Sequence, residues 1–187
     1  MRFLAFLALC CLSVLAQAQT LPQAPTIAAK SWLLLDYSTG QALASYNPDD
    51  RVEPASLTKL TTAYVVLGAL KEGKLTPTQA VPVSERAWKT PGSRMFIEPK
   101  KPVTVDELLR GMIVQSGNDA SIALAELVGG GAEPFVAQVN KEAQRFGMAN
   151  TRFANATGLS GPQHYASAAG LARLAAALIR DFPEYYP

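Results

Sequence analysis

A chain of 187 residues with 49% hydrophobic side chains can close one apolar core and falls in the size range of a single domain. Seventeen Lys and Arg against fifteen Asp and Glu leave a formal charge of +2, which lacks the basic surplus of a nucleic-acid binder. One histidine, His164, and two cysteines, both in the first eighteen residues, leave little with which to bind a transition metal, and no cofactor motif is present.

Residues 1–18 read as an export signal. Arg2 supplies the positive start, Phe3 to Leu15 the apolar run, and Ala16-Gln17-Ala18 the small-x-small cleavage pattern. Cleavage there starts the mature chain at Gln19, removes Cys10 and Cys11, and thereby excludes disulfides and a thiol nucleophile from residues 19–187. The expected location is the periplasm or the cell envelope. No later apolar run approaches the roughly 20 residues of a membrane span.

Ser31 to Asp36 predicts a buried strand, Tyr37-Ser38-Thr39-Gly40 a turn, and Gln41 to Tyr46 the returning strand of a hairpin. Pro54 limits any helix upstream of Ala55 and Ser56. From Leu57 a helix is expected, buried on most sides, with Leu60, Tyr64 and Leu67 at helical spacing and Ala63, Val65 and Val66 filling other faces. Residues 76–103, with several prolines and short strand-like pieces such as Ala80 to Val83, are expected to be irregular connections, and Lys100-Lys101 a solvated turn.

Thr104-Val105-Asp106-Glu107 is a capping box, followed by the stripe Val105, Leu108, Leu109, Met112 and a stop before Gly117. Further helices are expected over about Asp119 to Val128, Glu133 to Phe146 with Phe135, Val139, Ala143 and Phe146 inward, and Ser167 to Arg180 with Leu171, Leu174 and Leu178 on one face. A hairpin followed by helices gives an α+β class. Because two strands alone make a marginal sheet, further strands are expected beyond residue 187.

Only Ser56 among the serines has a lysine three residues later, in Ser56-Leu57-Thr58-Lys59. At the head of a helix these two side chains share a face, so the Lys59 amine can reach the Ser56 hydroxyl, and burial of Lys59 would favour its neutral, basic form. The Ser56 N–H would lie among the free donors of the first turn, where an oxyanion can be held. A surface serine cap followed by a solvated lysine has the same short pattern. Ser116-Gly117-Asn118, between two helices, can point a hydroxyl and an amide into one cleft: Ser116 as a proton relay, Asn118 as a clamp that accepts from and donates to a substrate carbonyl. The plainer reading makes Asn118 or Asp119 the N-cap of the next helix. His164, in a turn-rich stretch without a nearby carboxylate, is expected to be a solvent-exposed loop residue, and Asn155 a structural one. Ser45-Tyr46-Asn47 and Lys89-Thr90-Pro91-Gly92 only mimic catalytic tripeptides and receive no role.

The order Ser56-x-x-Lys59 then Ser116-Gly117-Asn118 resembles the penicillin-binding and β-lactamase set. Pro54-Ala55-Ser56-Leu57-Thr58-Lys59, Gly92-Ser93-Arg94-Met95-Phe96, Gly117-Asn118-Asp119-Ala120 and Phe153-Ala154-Asn155-Ala156-Thr157-Gly158-Leu159 resemble its serine D-alanyl-D-alanine carboxypeptidase branch over about residues 30–182. The resemblance implies a β-lactamase/transpeptidase-like fold, an antiparallel sheet with flanking helices and a helical lobe, incomplete at the C-terminus. It implies a peptidoglycan stem peptide ending in D-Ala-D-Ala as substrate and β-lactams as acylating inhibitors. Ser56 would be the nucleophile, Lys59 the base, Ser116 the relay and Asn118 the clamp. The family's Lys-Thr-Gly strand, which supplies the second oxyanion donor, has no counterpart in this sequence, so the chain itself is expected to be impaired. A serine β-lactamase fits less well, since Gly117 stands where it usually has aspartate and no Glu-x-x-x-Asn occurs. A non-catalytic envelope protein that binds peptidoglycan or a partner is the other alternative.

Overall fold

The computed structural model describes residues 24–186, so the export-signal reading and the Gln19 start lie outside the described residues. Strands β1 (Trp32–Leu35) and β2 (Ala42–Tyr46) pair antiparallel, Trp32 opposite Tyr46 and Leu34 opposite Ala44, with a register irregularity between Leu34 and Leu35. Their turn is closed by the Asp36 carboxylate, which accepts from the Ser38 hydroxyl and from the N–H groups of Ser38 and Thr39. Those bonds, the Ser38 hydroxyl first, hold the Asp36 carboxyl below its usual range. The expectation of a buried strand is corrected here. Leu34 is 55% exposed and Leu43 57%, because the helices cover only one face of the hairpin.

Six helices follow: α1 (Lys59–Lys71), α2 (Glu85–Lys89), α3 (Val105–Val114), α4 (Asn118–Gly129), α5 (Ala132–Arg145) and α6 (Ala168–Asp181). Helix α1 packs on α4, α5 and α6, and α4 also packs on α2, α3 and α5, so these two form the centre of the core. That position explains why α1 has no polar face: Ala63, Val66 and Leu67 are buried together with Thr58, Thr61 and Thr62.

The capping box at Thr104 forms as expected, with the Glu107 carboxylate returning to the Thr104 N–H at 2.8 Å. The stripe behind it, Val105, Leu108, Leu109 and Met112, is buried. Residues 76–103 are less irregular than their prolines imply. Ser84 accepts from the Ala87 N–H and starts α2, and Ala80 bridges Thr104. Lys101 pairs with Glu98 in an exposed turn, in line with the solvated-turn reading. Among the described residues no single helix is long and apolar enough to cross a membrane.

Candidate active site

The site begins with a strained turn. Pro54 is buried, Ala55 has φ +46°, and Ala55–Thr58 form a 3₁₀ turn that runs directly into α1 at Lys59. A left-handed alanine costs about 1–2 kcal/mol and persists only where the surroundings impose it. Here two features impose it. Val52 exchanges both backbone hydrogen bonds with Ala166 at 2.9 Å, and Gly158 lies so close that a Cβ on it would come within 1.8 Å of the Ala55 carbonyl oxygen. The turn leaves Ser56 exposed and buries Lys59, which is 6% exposed. The Ser56 N–H, one residue into the turn, makes no hydrogen bond among the described residues.

Lys59 Nζ lies 2.7 Å from Asn118 Oδ1, 2.7 Å from the Thr157 carbonyl oxygen and 3.5 Å from Ser56 Oγ. Burial pushes its ammonium down to about 8. A neutral amine has two N–H donors and one lone pair. The two short contacts take the donors, and the lone pair is left for the Ser56 hydroxyl. Serine and lysine therefore share a face, and the Asn118 amide at the start of α4 reaches the lysine.

Asn118 is the first residue of α4, yet neither it nor Asp119 caps the helix. Gly117 holds the N-cap position and has no side chain to offer, so the capping reading is corrected. Asn118 Oδ1 is taken by Lys59, and its Nδ2 donates to the Pro91 carbonyl at 2.8 Å. The expectation that this amide both accepts from and donates to a substrate is thus narrowed to the one Nδ2 hydrogen still free. Ser116 is left-handed at φ +54°, and its buried Oγ has no hydrogen-bond partner among the described residues. Among those residues no cluster of three or more His, Cys, Asp and Glu side chains is placed to hold a metal ion.

Two contributors escaped the sequence reading. The buried Asp119 carboxylate accepts from the N–H groups of Met95, Phe96 and Ile97 at 3.0, 2.8 and 3.2 Å, while the Asn118 N–H donates to the Ser93 carbonyl at 2.7 Å. The Gly92–Phe96 segment is thereby wrapped around the start of α4, and the apparently idle Lys89–Gly92 run supplies the carbonyl that holds Asn118. The other is residues 153–164. The Ala156 carbonyl accepts from the Thr62 and Ser121 hydroxyls, and Asn155 Oδ1 accepts from Thr157 and Gly158, the structural role expected of it. His164 is 4% exposed, not solvent-exposed. It bonds Thr58 Oγ1 at 2.9 Å and accepts from the Ala154 N–H at 2.9 Å.

The family described as D-alanyl-D-alanine carboxypeptidase matches residues 18–187. The chain is 46% identical over 165 residues to D-alanyl-D-alanine carboxypeptidase DacA of Haemophilus influenzae, covering 87% of this chain and 42% of that protein. To DacC of Escherichia coli K12 it is 44% identical over 188 residues, covering 97% and 47%. The solved D-alanyl-D-alanine carboxypeptidase DacD from Francisella tularensis superposes with a TM-score of 0.86 at 42% identity, over 93% of this chain and 43% of that one. Penicillin binding protein 5 from Haemophilus influenzae does so at 0.84 and 45%, over 87% and 48%. The chain thus spans about half the length of the curated relatives it matches. These likenesses agree with the α+β, transpeptidase-like architecture read from the motifs, and the chain belongs to the D-alanyl-D-alanine carboxypeptidase family.

Proposed function

We propose that this chain carries the acylating groups of a serine D-Ala-D-Ala carboxypeptidase, exported by residues 1–18 and acting on peptidoglycan stem peptides in the periplasm or cell envelope. The observation that carries the reading is the Lys59 amine, buried and held by Asn118 and Thr157 so that its remaining valence faces the exposed Ser56 hydroxyl. Lys59 takes the Ser56 proton as Oγ bonds to the carbonyl carbon before the terminal D-alanine. The Ser56 N–H supports the oxyanion, and the free Nδ2 hydrogen of Asn118 holds a substrate carbonyl. The proton returns through Ser116 to the leaving nitrogen, the C–N bond breaks, and D-alanine departs. Water then cleaves the Ser56 ester, giving the shortened peptide and restoring the hydroxyl. A β-lactam enters at the first step and leaves the same serine acylated.

The test is incubation with a fluorescent penicillin, mass spectrometry of the labelled peptide, and an assay of free D-alanine from a peptide ending in D-Ala-D-Ala. Label on the peptide that contains Ser56, and none on Ser56→Ala, is expected. Because the sequence holds no Lys-Thr-Gly, labelling of the 187-residue chain is expected to be slow. Equal labelling of Ser56→Ala would remove the nucleophile assignment.

A further inference from the structure

His164 lies 106 residues from Thr58 in sequence, and the fold buries the two against each other under the turn that carries Ser56 and Lys59. The protonation pattern of the ring follows from its partners. A backbone N–H can only donate, and the Ala154 N–H points at Nδ1 from 2.9 Å, so Nδ1 is unprotonated. The neutral ring then carries its hydrogen on Nε2 and donates to Thr58 Oγ1, 2.9 Å away. The two ends of one imidazole thus tie the Ser56–Lys59 turn to the segment that presents the Thr157 carbonyl to Lys59.

We propose that His164 is a positioning residue for the Ser56–Lys59 pair: as a neutral Nε2–H imidazole it clamps Thr58 to Ala154, and its protonation releases the turn. The inference rests on the reading of Ser56 and Lys59 as the reacting pair. Protonation places an N–H on Nδ1 against the Ala154 N–H, a donor facing a donor, and the ring must leave one partner. Burial, the larger effect, holds the imidazole's titration below its ordinary range, with the Glu53 carboxylate acting in the opposite sense. Glu53 itself accepts from the Ser160 hydroxyl at 3.1 Å. Among the described residues no further charged group acts on the ring. Phe153 packs edge-on at 6.0 Å, Lys59 is turned toward Ser56, Asn118 and Thr157, and Arg152 is exposed.

Since the chain has a single histidine, imidazole nitrogen NMR of tag-free protein reads the site without ambiguity. An Nε2–H tautomer is expected, with a midpoint below 6.5 and with the amide signals of Ser56 to Lys59 and Ala154 to Gly158 moving at that same midpoint. An Nδ1–H tautomer, or turn amides indifferent to the imidazole titration, overturns the proposal whatever the chemistry at Ser56. In the acylation assay, His164→Ala and Thr58→Val are expected to slow labelling at pH 7.5 by about tenfold, the rate equivalent of one lost hydrogen bond. His164→Gln, whose amide N–H replaces the Nε2 donor, is expected to recover the rate to within about threefold and to keep the Lys59 limb while losing the extra steepening that protonation of the imidazole adds to the wild-type profile on the acid side of its midpoint. Equal pH profiles for wild type and His164→Gln overturn the positioning role. A wild type that is never acylated refutes the proposed function instead and leaves the clamp to be decided by the NMR titration.

Discussion

Lys59 is held by neighbours that respond differently to its two charge states. Asn118 Oδ1 and the Thr157 carbonyl accept from either form, more strongly from the ammonium, but only the amine has a lone pair for the Ser56 proton. With burial pushing Lys59 down to about 8, the rate of acylation is expected to climb nearly tenfold per pH unit below that value and to level off above it. A stopped-flow pH series with a chromogenic β-lactam checks this, and a flat profile from pH 6.5 to 9 would count against Lys59 as the base. Lys59→Arg, permanently charged, is expected to lower the rate by about 10²–10⁴-fold. The same shift has a stability consequence. Between about 8 and 10.5 the unfolded chain keeps a proton that the folded chain has released, so the fold gains stability as pH rises through that window. Much of this was legible in the sequence, since three-residue spacing on a helix sets serine and lysine on one face. The acceptors that aim the amine were not: Thr157 contributes a backbone carbonyl, and no side-chain pattern marks it.

The decisive contact between elements is the one between the Ala55–Thr58 turn and the loop around Gly158. Gly158 has φ +90°, and a Cβ there would come within 1.8 Å of Ala55 oxygen and 3.0 Å of the Ser56 nitrogen. Gly158→Ala must therefore push the loop away from the turn, withdrawing the Thr157 carbonyl from Lys59 and disturbing the Ser56 N–H. A loss of about 2–4 kcal/mol in stability is expected from a positive φ combined with a backbone overlap. Acylation should fall further than Tm alone accounts for, measured on folded protein well below the transition. A Gly158→Ala variant that melts and reacts like wild type would mean that the loop and the turn are not in register in solution. The sequence held Thr157-Gly158-Leu159 as part of a family-like string but offered no reason for the glycine, because the atom it accommodates lies about a hundred residues upstream. Helix α2 was missed for a different cause. Five residues cannot display a helical period, and the Ser84 cap is hidden among prolines.

Across the whole molecule, what could be read in advance is what repeats locally: the stripe of α3, the inward residues of α5, and the many-sided burial of α1. His164 was misjudged because its partner Thr58 is distant in sequence, and the hairpin because apolar strand residues do not say which face is covered. Long sequence separations also divide the groups that join three helices at Tyr64, near the middle of α1. Tyr64 Oη donates to Asp181 Oδ2 at 2.7 Å and accepts from Arg145 at 2.8 Å, while its ring stands edge-on to Phe146 and Phe182 at 4.9 and 5.0 Å. Removing the hydroxyl alone strands neither partner, since Asp181 keeps Arg180 and Arg145 keeps Glu142. Tyr64→Phe is accordingly expected to cost only about 1 kcal/mol, the net worth of a hydrogen bond whose partners remain satisfied. Tyr64→Ala, which also removes the ring between two aromatics, is expected to cost about 3–5 kcal/mol. Urea unfolding should show both as lowered midpoints with an unchanged slope, and acylation of Tyr64→Phe should match wild type because the hydroxyl makes no bond to the Lys59 cluster. Equal losses for the two variants would place the strength of this three-helix junction in the polar tie and leave the aromatic packing with little part in it.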